Sequence, residues 1–357
     1  MKLALFSKNY TLSSEEKLSI IEGLSIMLSA GVPILEALDS IAEDMYKKSA
    51  KALIEKLSRE ISSGKSLAEA MEIFPNTFDT VTINIIKSGE TSGKLEQVLK
   101  DLAENIKQNI ETMSSVRSAL FYPALVLLVL IGLSFYMFSF ALPRIAKVFF
   151  DLAIELPAYS SFVLRSSLFF QKYWVYILVA LIIMSLLFIR LVMIPKIRAR
   201  FVILLTKIPA LKTLVRFMDL SRFTNTTALL LSAGIPIIEV LNIAKNVVVS
   251  PRLRSDIEYL SDSLARGSNL AESMKNRQTS FPSLLRRVVG VGEETGNLDK
   301  SLMDISGHYE KQFTDIVKNL TVILEPLLLI IIGFVVGIVL LSVIAPIYQL
   351  IGQLSPQ

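Results

Sequence analysis

Residues 28–38 read Leu-Ser-Ala-Gly-Val-Pro-Ile-Leu-Glu-Ala-Leu, and residues 231–241 read Leu-Ser-Ala-Gly-Ile-Pro-Ile-Ile-Glu-Val-Leu. The second stretch follows the first by 203 residues. Residues 64–71 and 267–274 form another similar pair at the same distance, Gly-Lys-Ser-Leu-Ala-Glu-Ala-Met and Gly-Ser-Asn-Leu-Ala-Glu-Ser-Met. Repeated blocks in one register indicate a duplicated structural unit. We predict two copies, at about 14–118 and 217–320.

The same spacing, called the repeat distance below, relates two further features of the chain. Gly89-Glu-Thr-Ser-Gly-Lys-Leu95 matches Gly292-Glu-Glu-Thr-Gly-Asn-Leu298, and Pro123 matches Pro326. One pair departs from the register, because residues 74–75 and 281–282, both Phe-Pro, lie 207 residues apart. This pair predicts a four-residue insertion that is compensated before the third block.

Each copy carries signals for short helices. Residues 13–16, Ser-Ser-Glu-Glu, fit a capping box, in which a serine oxygen and a later glutamate satisfy backbone N–H groups at a helix start. Glycine at positions 31 and 234 can end a helix in the left-handed conformation, and Pro33 and Pro236 can begin the next. Without an alternating run of β-branched residues, the pattern predicts an all-α bundle of about six short helices per copy.

The last helix of each copy is predicted to begin after Gly93 and Gly296 and to continue into an apolar stretch. Apolar residues recur there at steps of three and four, as expected for one face of a helix. An unbroken helix from Lys94 to Leu142 contains 49 residues. At 1.5 Å per residue its length would be about 73 Å, with a kink expected at Pro123.

Three uncharged stretches reach the roughly 17–25 residues that a membrane-spanning helix requires. The chain is also 52% hydrophobic, with a mean hydropathy of +0.55, which is high for a soluble protein. We therefore predict an integral membrane protein with this order of segments: first helical domain 1–118, span 119–142, external connection 143–172, span 173–189, basic linker and second helical domain 190–325, span 326–348 and external tail 349–357.

Lys and Arg near the span ends predict the orientation, since these residues are retained in the cytoplasm. Ten of them flank the spans on the side of the two copies, against four in the connection 143–172. This distribution predicts a cytoplasmic N-terminus, cytoplasmic copies and a periplasmic C-terminus. Residues 1–17 contain no apolar run long enough for a cleaved signal peptide.

Composition and motif searches argue against several function classes. The chain has no cysteine, so disulfides and thiolate metal sites are excluded. The net charge of +5 comes largely from residues beside a span, which favours membrane topology over nucleic-acid binding. His308 is the sole histidine and has no potential metal-ligating partner nearby, so we expect it on the solvated surface.

Gly89, Glu90 and Gly93 could suggest a phosphate-binding loop, but no Lys-Ser/Thr pair follows them, and a turn between helices is the better interpretation. No nucleophile and base, metal cluster or nucleotide loop marks a reaction, so we predict neither an enzyme nor a bound cofactor. A small-solute transporter is the alternative, since internal repeats with spans recur in that class. Three spans are few for it, and most of the repeated sequence is soluble.

The paired motifs resemble the type II secretion F family, the inner-membrane platform proteins of type II secretion systems and type IV pili. The resemblance rests on the two Leu-Ser-Ala-Gly-Val/Ile-Pro corners, the two Gly-Glu-x-x-Gly-x-Leu turns, residues 117–123 (Arg-Ser-Ala-Leu-Phe-Tyr-Pro) and Glu325-Pro326-Leu-Leu. It implies a platform that contacts a cytoplasmic assembly ATPase, other membrane components of the machine, and pilin or pseudopilin subunits. About a dozen residues precede Ser14, where many members have more, a form similar to the type IVb pilus branch.

Several residues are candidates for interaction. Glu90 and Glu293 can either favour the positive end of a helix dipole or bind a basic partner. Glu325, at the edge of the third predicted span, can either meet a basic group of another subunit or a pilin, or lie in headgroup water. The resemblance adds Arg117, Pro123 and Pro326. Four basic residues after the second span are expected to fix topology and contact anionic lipid, with ATPase docking as the alternative: Arg190, Lys196, Arg198 and Arg200.

The duplication also bears on self-association. Two domains of equal fold on one face of the membrane would offer a pseudo-symmetric surface, and oligomers would extend that surface around a central axis. We therefore predict a homo-oligomer.

Overall fold

A computed structural model describes residues 12–151, 157–193 and 208–354. Throughout these residues the regular secondary structure is helical, which confirms the all-α prediction. The chain divides into two compact units. One unit contains the two copies, up to Ser115 and from Val202 to Asp315, and the other contains Val116–Phe201 and Ile316–Gln357.

The first copy is a bundle of five short helices and the start of a long one, as predicted. Ser13 and Glu16 form the predicted capping box at the start of the first helix, with both hydrogen bonds present. The helices are α1 Ser14–Ser29, α2 Ile34–Asp44, α3 Lys48–Ser62, α4 Leu67–Glu72, α5 Thr80–Ser92 and α6 Leu95–Tyr136.

The second copy repeats these helices in the same order. They are α9 Pro209–Ser232, α10 Ile237–Ala244, α11 Pro251–Ala265, α12 Leu270–Lys275, α13 Ser283–Thr295 and α14 Leu298–Leu354. The helices of the two copies pair in matching order, and in each pair the starts or the ends are separated by the repeat distance. This agreement confirms the duplication.

The predicted four-residue insertion is wrong. Helices α4 and α12, which precede the Phe-Pro segments, and α5 and α13, which follow them, keep the repeat distance at both ends. Phe281 is fully buried, and the residue at the equivalent position of the first copy is Phe78, which is buried too. A second buried phenylalanine in the first copy, Phe74, therefore caused the misalignment.

Helix–helix corners at Gly31 and Gly234 have the predicted form. Their φ angles are +82° and +85°, in the left-handed region that glycine adopts without steric cost. The N–H of Val32 donates to the carbonyl of Met27 at 2.9 Å, which satisfies a carbonyl at the end of α1. Pro33 and Pro236, both with φ of −59°, then precede the first residues of α2 and α10.

Each copy has its own apolar core. In the first copy it includes Ile20, Leu24, Leu53, Leu57 and Met71, all essentially without solvent exposure. In the second copy Phe223 and Phe281 pack with their ring centroids 5.9 Å apart, and Tyr309 and Leu285 complete the cluster.

Three helices are long and apolar enough to cross a membrane: Leu95–Asp151, Ala158–Phe188 and Leu298–Ala345. The first comprises α6, a π-helical turn Met137–Ala141 and α7 Leu142–Asp151. The second lies in α8, Ala158–Met193, and the third in α14. The three spans predicted from the sequence therefore fall within helices of suitable length.

The second of these helices extends beyond the predicted span. Helix α8 begins at Ala158, well before the predicted start at Tyr173, so much of the segment 143–172 is helical. Within this unit, Leu142, Ala146, Phe149 and Leu164 are buried together against Val339 and Val343 of α14. Large apolar side chains elsewhere on these helices are exposed, as expected for surfaces that contact lipid: Leu128, Ile330 and Phe334 are each more than two-thirds exposed.

Candidate functional site

The two Gly-Glu-x-x-Gly-x-Leu segments connect α5 to α6 and α13 to α14. Gly89 and Gly292 are buried where each helix pair crosses. A Cβ atom on Gly89 would lie 3.0 Å from Cβ of Val98, and one on Gly292 would lie 3.1 Å from Cα of Leu298. A side chain at either position would force the neighbouring helix to shift, so glycine favours the close crossing.

Gly93 and Gly296 end α5 and α13. Their φ angles of +68° and +72° lie in the left-handed region, and the N–H of Lys94 donates to the carbonyl of Gly89 at 2.9 Å. The corresponding bond in the second copy joins Asn297 to Gly292 at 3.0 Å. Gly93 and Gly296 therefore form the predicted turns between helices. For Gly89 and Gly292 the predicted turn is wrong, because both lie inside α5 and α13, where they allow the next helix to pack closely.

The carboxylates of Glu90 and Glu293 cap a neighbouring helix. In the second copy the N–H groups of Leu270 and Ala271, at the start of α12, donate to the two oxygens of Glu293 at 2.8 and 3.1 Å. In the first copy Leu67 and Ala68 donate to Glu90 in the same way, at 2.5 and 3.1 Å. The sequence left two roles open for these glutamates, a contact with the positive end of a helix or with a basic partner. In the structure both contact the positive end of a helix.

The sequence did not single out Asp219, the most deeply buried carboxylate described. Its oxygens accept the N–H groups of Val249 and Ser250, each at 2.7 Å, just before α11. Burial raises the pKa of Asp219, and these two hydrogen bonds oppose that effect. The residue at the same position in the first copy, Glu16, is only partly buried and accepts the N–H of Ser13 in the capping box of α1, so the sequence carried no signal for this buried acid.

A cleft of about 590 Å³ lies beside Asp219. Among its lining residues are three basic side chains, Lys212, Arg216 and Arg252. Three hydroxyl groups also line it, those of Ser250, Thr279 and Ser280. His308, which could act as a base for a hydroxyl group, is not among its lining residues. Within the described ranges there is also no group of three or more His, Asp or Glu residues that could hold a metal ion.

The candidates in the apolar half of α6 and α14 lie on long uninterrupted helices. Arg117 and Pro123 belong to α6, and Glu325 and Pro326 to α14. Arg117, Glu325 and Pro326 are exposed, whereas Pro123 is buried. No ion pair of Glu325 occurs with any described residue. Its carboxylate therefore faces outward from a helix that becomes fully apolar one residue later.

Of the four basic residues assigned to topology and lipid, Arg190 lies in the last turn of α8 and is exposed. Lys196, Arg198 and Arg200 fall outside the described residues. His308 is exposed on α14, as expected, and its ring lies against that of Tyr309, with centroids 5.6 Å apart. Nearby, Thr112 of α6 donates a hydrogen bond to Glu310 of α14, which joins the last helices of the two copies.

These features define a class of protein: a membrane protein in which two copies of one helical bundle each lead into a long apolar helix. The family model described as "Type II secretion system (T2SS), protein F" matches residues 20–143 and again 223–346, and the chain belongs to this family. The two matches begin and end in the same register that relates the helices of the two copies.

Curated relatives cover most of the chain. It is 28% identical over 334 residues to the type IV pilus assembly protein PilC of Thermus thermophilus, covering 94% of this chain and 82% of that protein. PilC of Myxococcus xanthus is 28% identical, with coverages of 92% and 79%. The type II secretion system protein F of Aeromonas hydrophila is 26% identical, with coverages of 95% and 87%.

We predict that Gly292→Ala lowers the free energy of unfolding of the second copy by about 1–3 kcal/mol, because the new methyl group would overpack the crossing of α13 and α14. Urea-dependent pulse proteolysis of the detergent-solubilised chain measures this change. The matched control is Gly307→Ala, on α14, where an added Cβ meets nothing within 4 Å. That control should be neutral or stabilise by up to about 1 kcal/mol through helix propensity. Equal effects of the two substitutions would contradict the packing argument.

We also predict that Glu293→Ala destabilises the second copy by about 2 kcal/mol, since two N–H groups at the start of α12 lose a charged acceptor. The same proteolysis assay measures it, and Glu294→Ala, an exposed neighbour, is the control. If both substitutions left the unfolding free energy unchanged, the capping contact would have no energetic importance.

Proposed function

We propose that this protein is an inner-membrane assembly platform of a type IV pilus or a type II secretion system. In this proposal it couples a cytoplasmic ATPase to the extraction of pilin or pseudopilin subunits from the membrane and to their polymerisation. Other inner-membrane components of the machine and further copies of the chain complete the assembly. The relatives include proteins of type IV pilus assembly and of type II secretion, so the proposal includes both kinds of machine.

The observation that carries the proposal is the continuity of α6 and α14 with the bundles. Each copy ends in a helix that continues without a break from the packed core of the bundle into an apolar stretch that is suited to lipid. The helices Leu95–Asp151 and Leu298–Leu354 each contain 57 residues, or about 85 Å at 1.5 Å per residue. A displacement of a bundle would therefore be transmitted along its own helix into the membrane, as coupling between an ATPase and a membrane subunit requires.

The proposed topology follows from the charge distribution. Ten Lys and Arg residues flank the spans on the side of the copies and four lie in the connection 143–172. Both copies are then cytoplasmic, where an ATPase is accessible, and the C-terminus is periplasmic. With this topology, residues 1–118 and 190–325 are the cytoplasmic parts. Arg190 would lie at the cytoplasmic headgroup level, where anionic lipid attracts basic side chains.

The proposal assigns no chemistry to the chain itself. The glycines that suggested a phosphate-binding loop belong to helix crossings and helix corners. The cleft beside Asp219 is lined by hydroxyl groups but not by a histidine that could act as their base. A transporter would be expected to have charged groups inside its spans, whereas Glu325 stands at the edge of an apolar stretch. No specific contact in the described residues favours that alternative.

We predict that the full chain copurifies with the assembly ATPase of its machine from detergent-solubilised membranes. A variant in which a flexible linker replaces residues 209–315 should lose the ATPase, because half of the cytoplasmic surface is removed. Protease resistance of the first copy shows whether that variant is folded. Failure of the intact chain to retain any ATPase would contradict the proposed coupling.

For Glu325 we predict that Glu325→Gln reduces pilus assembly or secretion several-fold while the amount of protein in the membrane stays normal. The physical reason is that an exposed carboxylate at the lipid edge can stabilise a basic group of another subunit, and the amide cannot. Counting pili or secreted product in a strain that lacks the wild-type gene measures the effect. Asp304→Asn, exposed in the bundle part of the same helix, is the control. Full activity of Glu325→Gln would assign the carboxylate to headgroup water instead.

A further inference from the structure

The two copies contact each other inside the unit that contains them, through α5 of the first copy and α9 of the second. Leu229, Ala233 and Ile235 of the second copy are 5%, 7% and 8% exposed and belong to the apolar core of the first copy. The hydroxyl of Ser88 on α5 donates to the carbonyl of Ala233 at 2.5 Å. Val81 and Ile85 of α5 line one cleft together with Leu229.

We define the α5 face as Val81, Ile85 and Ser88, and the α9 face as Thr226, Leu229 and Ala233. Because the copies share one fold in one register, each face has a counterpart on the other copy. The counterpart of the α9 face is the α1 face, Gly23, Ile26 and Ala30. The counterpart of the α5 face is the α13 face, Leu284, Val288 and Val291.

On these two counterpart faces Ile26, Ala30, Leu284 and Val291 are exposed, while Gly23 and Val288 are partly buried. Ile26 is 63% exposed, whereas its equivalent Leu229 is 5% exposed. On the α13 face, Val291 is 59% and Leu284 is 44% exposed. If a pseudo-twofold axis related the copies, the α1 face would contact the α13 face and both would be buried. The contact inside the chain is therefore heterologous, since it joins two different faces. The α1 face of the first copy and the α13 face of the second copy, which could form the same contact, have no partner within the chain.

One exposed residue of the α13 face is more apolar than its equivalent inside the chain. Val291 is more apolar than Ser88, which occupies the same position inside the chain. Val291 and Leu284 are both exposed on the α13 face, outside the membrane-spanning helices, and large apolar side chains exposed together favour an interaction surface.

Charged residues border both uncovered faces. Beside the α9 face stand Asn225 and Asn242, and the equivalent positions beside the α1 face are Glu22 and Asp39. On the other side, Arg287 and Glu294 of α13, both exposed, stand where α5 has Asn84 and Thr91. The acidic residues beside the α1 face can therefore pair with Arg287 on the α13 face, and a charge pair of this kind helps to set partner and register.

From these observations we infer that the α1 face of one chain docks on the α13 face of a second copy of the chain. This contact repeats between chains the contact that α9 and α5 make within one chain. The bundles would then alternate, first, second, first, second, from chain to chain, and they form a ring if the rotation of this heterologous contact closes. The inference deepens the self-association included in the proposed function and rests on that part of it.

Engineered cysteines test the inference directly, since the chain has none of its own. Ser88 contacts Ala233 within the chain, and the equivalent positions on the uncovered faces are Val291 and Ala30. We predict that full-length chain carrying Ala30→Cys and Val291→Cys forms a ladder of cross-linked multimers in membranes treated with a short bifunctional maleimide. The matched control, Ser88→Cys with Ala233→Cys, should cross-link within one chain and remain monomeric on a denaturing gel.

Single-cysteine variants distinguish a heterologous contact from other arrangements. Ala30→Cys alone and Val291→Cys alone should give no multimer, whereas co-expression of the two single variants should give a cross-linked dimer. The inference is overturned if the double variant yields no intermolecular product while the Ser88/Ala233 pair cross-links. It is also overturned if either single variant cross-links to itself as strongly as the double variant does.

A charge on the α13 face provides a second measurement. Val291→Asp should cause loss of the oligomer in size-exclusion chromatography with light scattering, while the Ser88/Ala233 cross-link within the chain persists and shows that the bundles are folded. An unchanged mass would count against the inference. Failure of the proposed function would appear separately, as multimer cross-links in a protein that does not retain the ATPase.

Discussion

Backbone hydrogen bonding across the boundary between water and lipid constrains this protein most strongly. A chain that enters hydrocarbon must satisfy each backbone N–H and C=O internally, which a continuous helix achieves and an irregular connection does not. Helices α6 and α14 therefore extend from the apolar core of a bundle into an apolar stretch without an intervening loop. Pro123 and Pro326 each remove one donor from these helices, yet both helices continue past them. The bundles are in consequence attached to the membrane by the same elements that complete their cores.

The duplicated motif residues serve the packing of the bundles. Gly292 permits the close crossing of α13 and α14, Glu293 caps α12, and Gly296 ends α13 in the left-handed conformation. The first copy uses Gly89, Glu90 and Gly93 for the same three purposes, so each motif is explained by packing within its own bundle. The residues that are the same in both copies are therefore those that stabilise the fold of each bundle.

Differences in exposure between equivalent residues of the two copies identify the surfaces at which each copy contacts other parts of the protein. Leu229 is buried against the first copy while its equivalent Ile26 is exposed, and Ser88 makes a contact that its equivalent Val291 leaves unused. Such differences cannot arise from the fold, since both copies satisfy the same fold. They reflect the surroundings of each bundle, and this makes a repeat protein informative about its partners in a way that a single domain is not.

Local sequence determined the helices, their corners and the apolar spans, because capping residues, glycines and three- and four-residue apolar steps act within one or two helical turns. It also determined the duplication, apart from the false insertion that the Phe74 alignment suggested. Only the tertiary structure decided the roles of Glu90 and Glu293, whose carboxylates bind N–H groups 22 and 23 residues earlier in the chain. It alone decided the burial of Asp219 and the one-sided contact between the copies, since both depend on which helix faces come together. Periodicity specifies that a helix has an apolar face, and packing selects the surface that covers it.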